Sequence, residues 1–364
     1  MRVAVIIDTW FPFIGGGQIN AWEISKRIAK EDISIDIITR NNGHDNLQLS
    51  KNLKVFKLGP KAAADDTISK IAYLVRSFLF VYKKKYDLVH AHAFLPGITA
   101  RLLMIFKGIP AILTVHGTSI TTNLNNFLLR RIEKFILTEI CYSAQITVSQ
   151  DFLEIENINK KVYYIPNGVN IPDFNRVKVQ KFKRLTLLFV GRLHPQKNLE
   201  TLIQAVAILT KDSPDIQLLI VGDGNQKSQL KKLVQTLHLQ NHVKLLGQKT
   251  GLDLIRFYKS SNIFILPSIY EGQPLTLLEA WAAKLPVIVS KTGDCQSLVR
   301  NGKNGYLINH PDDSQEIASV IFKVFKNHNL EKLGTNGYNF VRQNFSWEKS
   351  AQEYFKVYET LRRS

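Results

Sequence analysis

"LTLLFVGRLHPQKNLETLIQAVAIL", Leu185 to Leu209, passes from a strand through a loop into a helix. The run from Leu185 to Val190 is apolar and short, as a strand covered on both faces must be. A helical apolar pattern follows Asn198, and the strand-like "IQLLIVG" comes after it. The chain opens with the same cycle: strand "RVAVIID", glycine turn "FIGGGQ", helix-like "INAWEISKRIAK", strand "ISIDIIT". Further strands are expected at "DLVHAH", "AILTVHG", "AQITVS", "KVYYIPNG", "HVKLLG", "NIFILPS" and "LPVIVS". Alternation of apolar strands with helices predicts an α/β chain with parallel sheets covered on both faces. Two starts of the cycle predict two Rossmann-like domains. Their spans are expected at residues 1–172 and 173–345, joined near "NIPDFNRVKVQKFKR", with 346–364 as a C-terminal helix returning to the first domain.

The length, 364 residues, suits two domains, and 45% hydrophobic residues suffice for two cores. The net charge of +18 invites an anionic partner: nucleic acid, an acidic membrane or a phosphorylated substrate. The excess is spread: residues 1–172 carry 21 Lys+Arg against 14 Asp+Glu, and residues 173–364 carry 27 against 16. A basic tail is therefore not its source, and a lysine-rich surface explains it as well. Cys141 and Cys295 are the only cysteines, so a disulfide framework or paired-cysteine zinc site is not expected. That usage fits a reducing cytosol. "MRVAVIIDTW" reads as a strand rather than a signal peptide. "IAYLVRSFLFVY" is too short for a membrane span and contains Arg76.

Within "SIYEGQPLTLLEAWAAKLPVIVS", Ser268 to Ser290, two glutamates stand eight positions apart, Glu271 and Glu279. Pro274 suits the first helical position, where a missing N–H costs nothing. Glu271 then belongs to the loop and Glu279 to the second turn of the helix. The unpaired N–H groups at such a helix start favour an anion. Spacing alone proves little, since Glu23 and Glu31 are also eight apart. Arg192 and Lys197 flank Pro195 after a strand end and could neutralise a diphosphate, although an isolated pair of this kind is more often two solvated charges. "VGDGNQ", with Gly222, could approach a ligand by its backbone or be a plain turn. Neither half carries G-x-G-x-x-G, which weighs against a dehydrogenase. His116 ends a strand and precedes a glycine, where open α/β sheets bind ligands. His92 reads as a packed or surface histidine. With no H-E-x-x-H and no D-x-D, a protein-built metal site is not expected.

"FPFIGGGQINAWE", "IPNGVN", "VGRLHPQKNLETLIQAV", "VGDGNQKSQL", "YEGQPLTLLEAWAAKLPVIVS…NGKNGYLI" and "FSWEKSAQEYFKVYETL" occur in this order. Together they resemble retaining glycosyltransferases of the family 4 type. The resemblance covers nearly the whole chain and is most specific from Arg192 to Gly305. It implies the GT-B architecture, two Rossmann-like domains whose sheets face across a cleft. It implies transfer of a sugar from a nucleotide diphosphate sugar, UDP- or GDP-linked, to a hydroxyl, without cofactor or metal. The glutamate pair becomes the E-x7-E signature, with Glu271 at the donor sugar and Glu279 at the ribose hydroxyls. Arg192 and Lys197 match the diphosphate pair, and Gly15 and Gly16 the N-terminal glycines beside that diphosphate. His116 matches a histidine near the transferred sugar. Gly272, Gln273 and Leu275 fall at the phosphate-facing helix start. The sequence departs from the family at Gln18, where a glutamate is usual, at Lys284, where glycine is usual, and at Ser297, where a second glutamate is frequent. "EGQP" replaces the commoner "EGFG", so Gln273 and Leu275 must supply the backbone donors.

Two other functions compete: a sugar-nucleotide epimerase on the same architecture, and a nucleic-acid-binding protein. The latter lacks any aromatic-basic recognition motif. For the acceptor the resemblance implies a saccharide or a lipid-linked saccharide, met by the N-terminal domain. "NNFLLRRIEKFILTEICYS" mixes Phe127, Leu128, Phe135 and Ile136 with Arg130, Arg131 and Lys134. It is read either as a core helix with Phe127, Leu128 and Phe135 inward, or as a helix lying on an anionic membrane at the cytoplasmic face, helped by the lysines of "VYKKKYD".

Overall fold

A computed structural model describes residues 1–11, 15–30, 32–43, 47–63, 66–117, 127–155, 159–326 and 329–363, with the side chains of 47 and 127–130 left outside the description. Most of "FPFI" and of the segment before the "FLLRRIEK" helix therefore lies outside the described residues, as do the side chains of Phe127, Leu128 and Arg130.

In chain order the first elements are β1 (Arg2–Ile6), α1 (Gly16–Ile28), β2 (Ser34–Arg40), β3 (Leu47–Ser50), β4 (Leu53–Leu58), α2 (Thr67–Tyr82), β5 (Leu88–His92), α3 (Phe94–Lys107), β6 (Ala111–Val115), α4 (Phe127–Thr138), β7 (Ala144–Thr147) and β8 (Val162–Tyr164). Next come α5 (Ile171–Arg176), β9 (Leu185–Val190), α6 (Leu199–Leu209), β10 (Ile216–Val221), α7 (Lys227–Thr236), β11 (Val243–Gly247), α8 (Gly251–Ser260) and β12 (Ile263–Leu266). The chain finishes with α9 (Leu275–Ala282), β13 (Val287–Ser290), α10 (Asp294–Leu298), β14 (Tyr306–Ile308), α11 (Ser314–Phe325), α12 (Leu330–Asn344) and α13 (Trp347–Arg362).

Two compact units result: Met1–Asn167 with Trp347–Ser364, and Gly168–Ser346. The first boundary lies five residues before the expected 172/173. Val169 explains the difference, because its N–H bonds to the Phe345 carbonyl at 3.1 Å and holds the strand segment in the second unit. "IPDFNR" is thus no linker: it forms α5, with Ile171 and Phe174 buried.

The first unit holds an eight-stranded sheet in the order β3-β4-β2-β1-β5-β6-β7-β8. It is parallel except for β3, which pairs antiparallel with β4 at one edge. Neither β3 nor β4 stands out in the sequence, because interleaved lysines in "LKVFKL" make β4 look like a surface segment. Side chains alternate across β5, so Val89 and Ala91 join the core beneath α2 and α3, while His90 turns to the other face and meets Tyr354 and Tyr358 of α13. Arg27 of α1 also bonds Glu348 at the start of α13, at 2.8 Å.

The second unit holds a six-stranded, wholly parallel sheet, β11-β10-β9-β12-β13-β14. The short β14 was not foreseen. β9 pairs with β10 on one side and β12 on the other, so the strand order reverses beside β9, where open α/β sheets bind ligands at their carboxyl ends. Trp281 of α9 is fully buried and donates its indole N–H to the Asn304 carbonyl at 2.9 Å.

Candidate active site

Loops after β9, β10 and β12 converge in the second unit. Backbone bonds tie them: Leu193 N–H to the Asp223 carbonyl at 2.9 Å, and Ile269 N–H to the Gln196 carbonyl at 2.9 Å. The Gln196 side chain adds a bond to the Tyr270 carbonyl at 2.8 Å. Gly222 has φ +145°, and a Cβ there would sit 1.8 Å from the Gly191 carbonyl oxygen. Its glycine character is accounted for by close packing on the loop that carries Arg192, a positioning role beside the ligand approach foreseen for it. Gly293, at φ +47°, lets its backbone reach the Glu271 carbonyl, 1.7 Å from where a Cβ would stand.

The sequence assigned Lys197 to a phosphate and Glu271 to a sugar. The structure joins them: Lys197 Nζ lies 2.5 Å from Glu271 Oε1, and Ser268 Oγ donates to the same oxygen at 2.6 Å. Glu271 is buried. A buried carboxylate needs such partners, and removing one typically costs about 3–5 kcal/mol. Arg192, by contrast, is exposed, and no described residue bonds or pairs with its guanidinium. It is the cation left with its full hydrogen-bonding capacity.

Pro274 is the cap of α9 rather than its first residue, since ψ of 117° keeps it extended. The Leu277 N–H bonds back to the Pro274 carbonyl, at 3.1 Å. The N–H groups of Leu275 and Thr276 are left at the helix start without such a bond. Gly272 and Gln273 are braced by Asp294: its N–H bonds to the Gly272 carbonyl at 3.1 Å, and its carboxylate accepts from Gln273 Nε2 at 3.4 Å. Asp294 is buried and was not singled out in the sequence. Its only signal is a position just after the turn that follows a strand. Ser297, the departure from the family glutamate, bonds back to the Asp294 carbonyl at 3.0 Å.

Glu279 stands one turn into α9. Tyr258 donates to its Oε2 at 2.7 Å, and no described group bonds Oε1. Part of its surface stays accessible although protein atoms crowd the carboxyl. Burial pushes its pKa up to about 7, offset in part by the Tyr258 bond. Burial, reinforced by the Glu279 charge, in turn keeps the Tyr258 phenol protonated.

In the first unit, His116 follows β6, and Gly15 and Gly16 open α1 after β1. Gly15 is the cap of α1, with its carbonyl accepting the Ile19 N–H at 3.1 Å. Gln18 donates to Thr9 Oγ1 at 2.5 Å. Gly17, not foreseen as a site residue, lies against the His116 ring, 3.2 Å from where a Cβ would be. His92 is no isolated packed residue: its Nδ1 meets His116 Nε2 at 2.9 Å, and the two rings stack with centroids 5.2 Å apart. Strand register produces the pair. His92 is the partner of Thr114 across β5 and β6, so His116, two residues on, projects from the same face.

His90 completes the ladder, its ring 4.3 Å from that of His92 and bonded to Thr114 and Tyr358. Burial lowers the pKa of His116 to about 4 and of His90 to about 3, and takes His92 well below its ordinary value. All three are neutral near pH 7. His116 Nδ1 is buried without a hydrogen-bond partner, a state that calls for a ligand or water to complete it.

Residues 14–172 match the model described as Glycosyltransferase Family 4, and residues 172–340 match Glycosyl transferases group 1. An uncharacterized glycosyltransferase of Methanocaldococcus jannaschii is 30% identical over 97% of this chain and 96% of its own. The UDP-Gal:alpha-D-GlcNAc-diphosphoundecaprenol alpha-1,3-galactosyltransferase of Escherichia coli is 28% identical over 91% of this chain and 92% of its own. Among solved structures, a sucrose-phosphate synthase from Thermosynechococcus elongatus superposes with a TM-score of 0.86 at 24% identity, covering 99% and 98% of the two chains. Anabaena HepE, in complex with UDP-glucose, gives 0.81 at 18% identity, covering 99% and 100%. At such identities the structural likeness speaks for the fold. These matches concern glycosyl transfer; epimerisation has no support among them. The helix-start glutamate pair, the flanking cations and these matches over the whole chain agree: the chain belongs to the GT-B glycosyltransferases of the family 4 type, Glycosyl transferases group 1.

Proposed function

We propose that the protein transfers a sugar from a UDP- or GDP-sugar to a hydroxyl of a saccharide or lipid-linked saccharide, with retention at the anomeric carbon and without a metal ion. One observation carries the donor assignment. Glu279 offers an oxygen with no protein partner within a helix whose first N–H groups are likewise unpaired, in a unit whose Arg192 lacks a counter-ion. The carboxylate accepts the ribose hydroxyls, and the helix start with Arg192 takes the diphosphate.

As the bond from the sugar C1 to the β-phosphate oxygen breaks, negative charge grows on that phosphate. Arg192, Lys197 and the Leu275 end of α9 stabilise it electrostatically. The acceptor oxygen bonds C1 from the face the phosphate leaves, and its proton passes to a β-phosphate oxygen. Glu271, held by Lys197 and Ser268, orients the donor sugar; His116, neutral, hydrogen-bonds it. The UDP-sugar donor and polyprenol-linked acceptor named for the Escherichia coli relative support the substrate classes. A cytoplasmic setting, with peripheral contact to an anionic membrane, completes the reading.

Incubation with nucleotide sugars and acceptors tests it. The expected result is acceptor-dependent release of nucleoside diphosphate, a product with the donor's anomeric configuration, and activity that survives a chelator. Epimerised nucleotide sugar without acceptor, or inversion in the product, overturns it. So does abolition by chelation with rescue by manganese.

A further inference from the structure

Helix α2 is apolar on two opposite sides. Tyr73, Ser77 and Val81 face the sheet and are buried. Ile68, Ile71 and Val75, followed by Leu79 and Tyr82, point the other way, and the first three are 80%, 61% and 58% exposed. At 100° per residue these five fall within an arc of about 80°. Core packing has no use for that second stripe. Helix α3 continues it: Ile105 and Phe106 are exposed, the latter by 65%, and the Phe106 ring contacts Phe78 of α2 at 6.2 Å. Soluble monomers rarely leave so large a contiguous apolar patch open, and such a patch marks an interaction site.

Charge identifies the occupant. From Thr67 to Lys107 the sequence carries seven Lys and Arg against a single acid, Asp87. Arg76, Lys83 and Lys85 are exposed on the flank and at the end of α2. A second copy docking through the same face would oppose like charges. An anionic bilayer satisfies both features, taking the apolar stripe below the headgroups and the cations at headgroup level.

We infer that the outer face of α2 and α3 is the membrane-docking surface of the protein. This deepens the membrane contact proposed above and moves its centre from α4. There the described side chains offer a smaller patch: Ile132 and Phe135 exposed beside Arg131 and Lys134, with Ile136 and Leu137 buried. Phe135 thus does not face the core, contrary to one of the two sequence readings.

Flotation of the full chain with vesicles decides the matter, using phosphatidylcholine with and without about 30% phosphatidylglycerol. The wild-type protein is expected to float with anionic vesicles and to bind at least about tenfold more weakly in high salt. The triple variant Ile71→Gln, Val75→Gln, Leu79→Gln is expected to lose at least about tenfold in binding. Its melting temperature should not fall, and its nucleotide-sugar affinity should be unchanged. Replacing Arg131 and Lys134 by glutamine should have the smaller effect. Three outcomes overturn the inference: no flotation by wild type, equal flotation by the triple variant, or a concentration-dependent wild-type dimer that the triple variant dissolves. Nucleotide-sugar turnover with a soluble acceptor, measured on the same samples, separates the cases. Flotation without any turnover sinks the transferase reading and leaves the surface standing; turnover without flotation does the reverse.

Discussion

The two units place polar clusters at the same kind of position, the carboxyl ends of parallel strands, and treat charge in opposite ways. In the first unit, His90 and His92 are buried and His116 half-buried against His92, with His90 on the tyrosines of α13, and desolvation keeps all three neutral. In the second, Lys197 and Glu271 meet as an ion pair, and Arg192 stands unpaired at the surface. One fold can therefore build a hydrogen-bonding surface either by removing charge through desolvation or by keeping it through pairing. The first suits a neutral sugar and the second a diphosphate.

The largest test of this contrast is the ion pair. Lys197→Ala should destabilise the second unit by about 3–5 kcal/mol, because Glu271 is left buried without its cation. Adding Glu271→Gln should recover more than half of that loss. Denaturant unfolding of wild type, both single variants and the double variant measures it. An additive cycle would show that the pair is not coupled. Arg192→Ala should instead leave the melting temperature unchanged and lower turnover at least roughly a hundredfold, about 2.7 kcal/mol. A near wild-type rate would remove Arg192 from the site.

The pH responses of the two units should have opposite signs. Each histidine binds fewer protons in the fold than in the unfolded chain once the pH drops below about 6.5, the ordinary histidine value. Their contribution is thus complete above that pH and is lost as pH falls towards about 4, the folded value of His116. Glu279 behaves the other way: with its folded pKa raised to about 7, the fold binds more protons, and stability falls as pH rises from the ordinary carboxyl value. Hydrogen exchange resolved by unit should show the first unit losing protection at pH 5 relative to pH 7.5. Glu279→Gln should stabilise the second unit by on the order of 2 kcal/mol at pH 8. The same variant should raise the donor KM and should no longer discriminate against a 2′,3′-dideoxyribose donor. Parallel pH slopes in the two units, or unchanged discrimination, would break the comparison.

The smallest effect concerns a departure from the family pattern. Lys284, where glycine is usual, has φ +58°, a region that costs a side chain roughly 1 kcal/mol. Its ammonium over the Tyr338 ring, 5.0 Å away, offsets part of that. Lys284→Gly should raise stability by up to about 1 kcal/mol, read as a higher melting temperature. A fall would mean that the ring contact outweighs the strain.

Much of this protein was legible in the order of its residues. Periodicity marked most of the strands and both starts of the cycle, because strands covered on both faces must be continuously apolar. Pro274 and the short polar loops marked helix starts, because backbone chemistry there is local. The composition of α2 was visible too, but not which of its apolar residues face outward, since apolar residues lie on two opposite sides of the helix and Ser69 and Ser77 fall on the buried one. Tertiary structure alone decided the rest. Lys197 and Glu271 lie 74 positions apart and meet only because the β9 and β12 loops are zipped together. His92 and His116 meet through strand register, and Asp294 reaches Gln273 across a turn that Gly293 permits. Local sequence sets propensity within a few residues. Which distant side chains come within hydrogen-bonding distance depends on how strands align and loops close, and that is a property of the whole sheet.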